Sequence, residues 1–250
     1  KDWAFFFVLF KMFKSKESNK KSQFFDKYDE DGGSKRNLTS WNLKLVGGLA
    51  IFWSLFQLWY ASPLPFIFDF GKFIDVPARA IHLAFGMSLC FLAYPSFRSD
   101  RNKKISSIDF IFVTISVIAT LYLFFDYEGL VDRQGILAYF EIFNFKVPYE
   151  LILGLFGMIL LLEATRRAIG TPLVFVALVF ILFSIFGQVM PHLISHQGLS
   201  FTRLVGYHWF GGEAIFGIPI SVSVDFIFLF VLFGSMLDAA GGGKYFLNLA

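Results

Sequence analysis

Six long apolar stretches constrain this sequence more than any other feature. A bilayer core of about 30 Å requires about 20 apolar residues in a helix. Charged residues make up only 16% of the chain, whereas soluble domains carry about 25%. We therefore expect an all-α, polytopic transmembrane helical protein embedded in a lipid bilayer. Its six predicted spans are Leu43–Ala61, Ala78–Pro95, Ile108–Phe125, Pro148–Ala164, Thr171–Met190 and Phe216–Leu237.

The charge balance bears on possible partners. The formal net charge is only +3, so we expect no basic surface for binding nucleic acid. The single cysteine, Cys90, cannot form an intrachain disulfide.

Basic residues concentrate in alternate loops, which predicts the orientation. Lysines and arginines precede the first span, lie between the second and third spans, and follow the fourth. The intervening loops contain fewer of them. The positive-inside rule then places the N-terminus in the cytoplasm. The basic residues between the second and third spans are Arg98, Arg101, Lys103 and Lys104.

Polar residues interrupt the sixth predicted span. Gly217 and Pro219 are expected to break the helix near its start, and Ser221, Ser223 and Asp225 follow in apolar surroundings. A carboxylate at the centre of a membrane helix costs on the order of 2.5–3.5 kcal/mol and often faces an ion pathway. Broken helices expose carbonyl oxygens that bind cations in transporters. The residues would converge only if the backbone unwinds between Gly217 and Ser221.

Two interpretations of this stretch remain open. In the first, the hydroxyls and the carboxylate supply hard oxygen ligands for sodium and line a substrate or ion pathway. In the second, the helix is merely kinked, its serines bond backbone carbonyls, and Asp225 packs against another span.

Charges also mark the end of the fourth predicted span. Glu163, Arg166 and Arg167 have the i, i+3 and i, i+4 spacing of helical salt bridges. The simpler interpretation is a clamp of arginines that extend their charged ends toward water. The alternative is a cytoplasmic gate.

Histidines suggest little chemistry. His192 and His196 have helical i, i+4 spacing, which could place two imidazoles on one metal. However, Pro191 and Gly198 bound this stretch and no HExxH glutamate is present. We interpret the pair as two interfacial loop histidines, and we expect neither a metal site nor catalytic residues.

Several longer motifs resemble one family of transport proteins. They are Leu161-Leu-Glu-Ala-Thr-Arg-Arg-Ala-Ile-Gly170, Gly217-Ile-Pro-Ile-Ser-Val-Ser223, Phe228-Leu-Phe-Val-Leu-Phe-Gly234 and His196-Gln-Gly-Leu-Ser-Phe-Thr-Arg-Leu-Val205. They resemble the fused permeases of tripartite ATP-independent periplasmic (TRAP) transporters. The resemblance is closest to the type that joins a small and a large membrane subunit and works with TAXI-type binding proteins.

This resemblance implies a domain organisation. Residues 1–40 would be a polar cytoplasmic segment, residues 41–147 a small-subunit-like (DctQ-like) membrane region, and residues 148–250 the start of a large-subunit-like (DctM-like) transport domain. The family's transport domain continues for many more helices, so the resemblance implies an N-terminal fragment of a longer chain.

The resemblance also implies a function. Members import small organic acids across the bacterial inner membrane, driven by an ion gradient that is generally sodium, after a periplasmic binding protein delivers the substrate. The family's broken-helix region maps to Gly217, Pro219, Ser221 and Ser223. Asp225 departs from the family pattern, which leaves its role open.

Two other functions remain as alternatives. A non-transporting membrane scaffold subunit would account for the first four spans but not for the polar sixth span. A polytopic membrane enzyme would need a catalytic constellation within or beside the membrane, and the sequence offers no convincing one. We therefore expect a permease and not an enzyme.

Overall fold

The computed structural model describes residues 36, 40–73, 75–97, 105–133, 136–142 and 145–241. Within these residues the chain is helical apart from one short antiparallel hairpin, which confirms an all-α polytopic membrane protein. The predicted cytoplasmic segment 1–40, except for Arg36 and Ser40, lies outside the described residues. So do the basic loop residues Arg98, Arg101, Lys103 and Lys104.

The elements follow one another in sequence order. They are α1 (Ser40–Ala61), α2 (Leu64–Ile67), α3 (Val76–Ala93), α4 (Ser107–Asp132), β1 (Phe140–Ile142), β2 (Phe145–Val147), α5 (Tyr149–Ala168), α6 (Thr171–Ile185), α7 (Phe201–Val205), α8 (Ile218–Val222) and α9 (Phe228–Ala239). A 3-10 turn at Gly187–Val189 follows α6. Two π-helical turns, Gly206–Phe210 and Ser223–Ile227, continue α7 and α8.

Four of the six predicted spans are helices long and apolar enough to cross a membrane. They cover Trp41–Ala61, Val76–Ala93, Ser107–Asp132 and Ile218–Leu237. The first three agree with the predicted spans to within a few residues, except that α4 extends seven residues beyond Phe125 to Asp132. The structure thus confirms that the chain is a membrane protein with transmembrane helices.

The fourth and fifth predicted spans are less suited in length or composition to crossing a membrane. α5 is 20 residues long but carries charged side chains near both ends: Glu150, Glu163, Arg166 and Arg167. α6 has only 15 residues, or about 22 Å of helix, which is shorter than a bilayer core.

The predicted fifth span ended at Met190, but α6 ends at Ile185. The chain then folds back along the end of α6. The Leu199 N–H donates to the Ser184 carbonyl at 2.9 Å, and the His196 N–H donates to the Gly187 carbonyl at 3.0 Å. These bonds satisfy groups that further helical turns would otherwise use.

The sixth predicted span begins near the expected residue, but its irregular helical turn lies at Ser223–Ile227 and not at Gly217 and Pro219. No helical residue lies between Phe210 and Ile218, so the break near Gly217 and Pro219 is the start of α8. The condition set for convergence, unwinding between Gly217 and Ser221, is not met, because the Ser221 N–H bonds the Gly217 carbonyl at 3.0 Å within a helical turn. Pro219 occupies the first turn, where its missing N–H leaves no helical bond unmade.

Two hydrophobic clusters hold the helices together. The larger one joins α3, α4 and α5 to the helical segment 201–210, whose Trp209 is fully buried. Trp209 packs directly on Gly157 of α5, where a side chain would overlap the indole. The smaller cluster joins α1, α3 and α9 around Trp53 and Phe228.

The ends of these helices define two faces. The inner end carries Arg36, Ala93, Asp109 and Arg167, and the loop charges predict that it faces the cytoplasm. The outer end carries Arg133, the β1–β2 hairpin and Glu150. In the hairpin, Phe140 pairs with Val147 and Ile142 with Phe145.

Candidate functional site

The polar residues of the sixth span surround the π-helical turn at Ser223–Ile227. Here the Phe228 N–H donates to the carbonyl of Ser223, five residues earlier, instead of to Val224, four residues earlier. The Val224 carbonyl instead accepts a hydrogen bond of 3.0 Å from the side-chain amide of Gln57 on α1. π-helical turns are rare and occur frequently at functional sites.

Asp225 is the only carboxylate of this turn, and it already has two donors. Ser221 Oγ donates to its Oδ2 at 2.9 Å, and the Tyr60 hydroxyl of α1 lies 3.4 Å from its Oδ1. The i, i+4 spacing brings Ser221 and Asp225 together on one helical face without any unwinding. Part of the predicted set therefore converges.

Ser223 lies apart from that pair. Its hydroxyl is 3.2 Å from Nε2 of His82 on α3. Trp53 Nε1 donates to Nδ1 of His82 at 3.2 Å, so the proton of the neutral imidazole belongs on Nε2 and is donated to Ser223. His82, Gln57 and Tyr60 were not predicted as partners of this turn. Their only signal was polarity within apolar helices.

Gln57 leaves one acceptor unused. The residue is fully buried, and its Oε1 has no hydrogen-bond partner among the described residues. The Val224 carbonyl fixes the orientation of the amide, because a flipped amide would set two acceptors against each other. An unpaired buried oxygen beside the π-helical turn can accept a donor or coordinate a cation.

Gly217 and Pro219 shape the approach to this turn. Gly217 caps α8 with φ −81° and ψ −144°, and a Cβ there would overlap the carbonyl oxygen of Glu213. Arg79 of α3 donates to the neighbouring Phe216 carbonyl at 2.9 Å. A hydrogen bond from the Arg79 side chain to the backbone therefore joins the segment just before α8 to α3.

At the inner end, Glu163, Arg166 and Arg167 form the predicted salt bridges. Glu163 accepts from Arg166 Nε and from Arg167 Nε, each at 2.7 Å. Sequence reasoning missed Asp109 of α4, which is buried and pairs with Arg167 at 2.8 Å and with Arg36 at 2.7 Å. No local spacing connects these partners, which are 58 and 73 residues apart along the chain.

A second ionic cluster, at the outer end, was also missed. Glu150 is fully buried and accepts from Tyr122 at 2.5 Å, from Arg133 at 2.6 Å and from the Ala138 N–H. Asp126 takes a non-helical φ of −113° inside α4 and pairs with Arg133 at 2.8 Å. The hydrogen bond to Asp126 raises the pKa of Arg133.

Of the two loop histidines, His196 bonds the local backbone through its imidazole. His196 Nδ1 accepts from the Gly198 N–H at 3.1 Å, and Nε2 lies 3.1 Å from the Phe183 carbonyl. Residues 191–195 are not helical, so the i, i+4 spacing of His192 and His196 does not place them on one helical face. Within the described residues no cluster of three or more metal-ligating side chains occurs.

Comparison with known proteins assigns neither a family nor a function to this chain. No protein-family model matches the chain, and no curated protein or solved structure matches it.

Proposed function

We propose that this chain is the permease component of a TRAP transporter, a secondary-active importer driven by an ion gradient. Its substrates would be small organic acids delivered by a periplasmic TAXI-type binding protein, and its membrane the bacterial inner membrane. The motifs in residues 161–170, 196–205, 217–223 and 228–234 carry the resemblance behind this proposal. The single structural observation that supports it is the polar π-helical turn within a membrane-length helix.

The oxygen atoms at this turn suit a hard cation. Asp225 and Ser221 lie within 2.9 Å of each other, and the Gln57 oxygen is buried without a partner. Carboxylate, hydroxyl and carbonyl oxygens are hard ligands of the type that sodium binds, whereas soft metals prefer sulfur or imidazole. Polar groups of this kind inside a membrane are expensive, and they commonly mark ion pathways. Sodium is accordingly the coupling ion that we propose.

One observation favours the scaffold alternative. The polar atoms of the turn are bonded to α1 and α3: Val224 to Gln57, Asp225 to Tyr60, and Ser223 to His82. Such bonds join helices in proteins that transport nothing. A scaffold role predicts that removing the carboxylate changes stability but not ion dependence.

The test measures uptake of a labelled organic acid by proteoliposomes containing the complete gene product and its binding protein. Uptake is compared with and without an inward sodium gradient, for the wild-type protein and for Asp225→Asn. Ser235→Ala in the same helix is the control, because within the described part of the chain the Ser235 hydroxyl bonds only the local Leu232 carbonyl.

The permease proposal predicts sodium-driven uptake that requires the binding protein, with an altered sodium dependence in Asp225→Asn and an unaltered one in Ser235→Ala. Uptake that ignores both the gradient and the binding protein would overturn the proposal. Unchanged sodium dependence in Asp225→Asn, with lowered thermal stability, would support a purely structural role for this carboxylate.

A further inference from the structure

The inner end contains more cationic charge than its carboxylates neutralise. We define the arginine cluster as Arg36, Arg166 and Arg167 together with Asp109 and Glu163. Among the residues that the structure describes, three guanidinium groups face two carboxylates, which leaves one positive charge in excess. Arg36 and Arg167 are 8% and 4% exposed, so their two guanidinium groups have little contact with water. A buried unbalanced charge is costly unless another anion compensates it.

The acceptors of this cluster are already used. Both oxygens of Asp109 and both oxygens of Glu163 accept guanidinium hydrogen bonds. Asp109 Oδ2 also accepts from the Ser106 N–H at 3.2 Å. No further carboxylate oxygen of the cluster is available to the remaining guanidinium N–H groups.

The backbone at the end of α3 is engaged as well. The Tyr94 carbonyl accepts from Arg167 at 3.3 Å, and the Ser96 carbonyl accepts from Arg166 at 2.9 Å. The Ala93 carbonyl accepts from the Arg36 N–H at 2.9 Å. Cations commonly bond the last carbonyls of a helix in this way.

Three guanidinium nitrogens nevertheless remain without an acceptor. Arg36 Nε, Arg36 Nη1 and Arg167 Nη2 are buried and make no hydrogen bond within the described part of the chain. A buried unpaired donor costs about 1–3 kcal/mol, and more when it is charged. Such donors are rare in native proteins, and a bound ion is one of the arrangements that satisfies them. The Arg167 guanidinium has partial compensation, because it lies 5.0 Å and 5.4 Å from the ring centroids of Phe91 and Phe112.

We propose that the arginine cluster binds the phosphate group of an anionic phospholipid. A phosphate presents several oxygens and one or more negative charges, which suits the fork geometry of guanidinium groups. The cluster lies where α3 and α5 end and α4 begins, so it is at the level of the lipid headgroups. Basic pockets between membrane helices on the cytoplasmic side are a known setting for such headgroups.

The surroundings favour this ligand. The sequence after α3 is basic, with Arg98, Arg101, Lys103 and Lys104, and basic segments that follow a membrane helix are typical of sequences that attract anionic lipid. Arg166 and Glu163 have 32% and 24% of their side chains exposed, and they form the accessible side of the cluster. A headgroup would approach from this side and would reach the buried nitrogens of Arg36 and Arg167 once the side chains of Arg166 and Glu163 move aside.

The experiment titrates the purified protein in detergent with lipids and follows thermal unfolding by tryptophan fluorescence. Dioleoylphosphatidylglycerol is compared with dioleoylphosphatidylcholine, and inorganic phosphate is compared with sodium chloride at equal ionic strength. The variants are Arg36→Gln, which removes the guanidinium, and Arg36→Lys, which keeps the ion pair with Asp109. Arg203→Gln is the matched control, because Arg203 is an exposed arginine in α7, outside the cluster.

We expect phosphatidylglycerol to raise the unfolding temperature more than phosphatidylcholine does. Arg36→Gln should weaken the apparent affinity about tenfold, the factor that 1.4 kcal/mol corresponds to, and Arg36→Lys should weaken it less. Arg203→Gln should leave it unchanged. If inorganic phosphate alone gives the same Arg36-dependent shift, the site binds phosphate and the free anion is its source.

The proposal is overturned if the two lipids act alike and inorganic phosphate has no effect, or if Arg36→Gln and Arg203→Gln behave alike. Should Arg36→Gln fail to fold, Arg36→Lys is compared with Arg203→Gln instead. Native mass spectrometry of the wild-type protein gives an independent result. Retention of one phosphatidylglycerol molecule, with less retained by Arg36→Lys, supports the site. Retention of both lipids without preference contradicts it.

Discussion

The side-chain amide of Gln57 donates to the carbonyl oxygen of Val224 at 3.0 Å, across 167 residues of sequence. In a regular helix the Phe228 N–H would occupy that carbonyl, but the π-helical turn directs this N–H to Ser223. The irregular backbone of one helix and the buried amide of another therefore satisfy each other. The π-helical turn thus frees a backbone carbonyl that forms a hydrogen bond between α1 and the last helix.

Replacement of Gln57 by leucine tests this contact. The variant leaves the Val224 carbonyl without its donor in an apolar environment, so we expect a loss of about 1–3 kcal/mol in unfolding free energy. Denaturant or thermal unfolding in detergent measures it. The control is Gln188→Leu, because Gln188 is exposed and water can replace its bond to the Gln197 carbonyl. Equal losses in both variants would contradict the interpretation.

Replacement of Asp109 by asparagine should destabilise the inner end. Asp109 is 1% exposed and pairs with two arginines. Removing one partner of a buried ion pair costs about 3–5 kcal/mol, because the remaining charge stays desolvated. The exposed Asp132 at the other end of the same helix provides the control variant Asp132→Asn. A stability change below 1 kcal/mol in Asp109→Asn would show that the pairs matter little.

Replacement of Gly157 by alanine should disturb the packing of α5. A Cβ at this position overlaps the indole of the fully buried Trp209, and overpacking costs about 1–3 kcal/mol. Gly234 of α9 has no heavy atom within 4 Å of a built Cβ. Gly234→Ala should therefore be neutral or stabilise by about 0.5–1 kcal/mol. The measurements are unfolding free energy and tryptophan emission, and a stable Gly157→Ala with unshifted emission would refute the close fit.

Replacement of Arg133 by glutamine tests the outer ionic cluster. Glu150 is fully buried and would lose its one cationic partner among the described residues. We expect about 3 kcal/mol of destabilisation at neutral pH. Arg133→Lys keeps a positive charge beside Glu150, so it should lose less stability than Arg133→Gln does. Equal losses in the two variants would assign the loss to packing rather than to charge.

The membrane architecture follows from sequence because it depends on local composition. The spans that became α1, α3 and α4 were predicted from apolar length alone, since every backbone group in lipid must be bonded within the segment. α6 is shorter than predicted for a different reason. Leu199 and His196 bond back to Ser184 and Gly187, and apolar composition carries no signal for such a fold-back.

The candidate site was predictable only in part. Ser221 and Asp225 could be paired from their i, i+4 spacing, whereas the partners Tyr60, Gln57 and His82 lie on other helices. The same holds for Arg36 and Asp109. Contacts between distant segments depend on helix packing, which one sequence does not reveal. The π-helical turn likewise depends on Gln57 as an outside donor.

Ion pairs join α4 and α5 at both of their ends, through Asp109 with Arg167 and through Arg133 with Glu150. Sliding or tilting one helix against the other would separate opposite charges near both membrane surfaces at once. The two ion pairs therefore oppose relative motion of α4 and α5 at both of their ends.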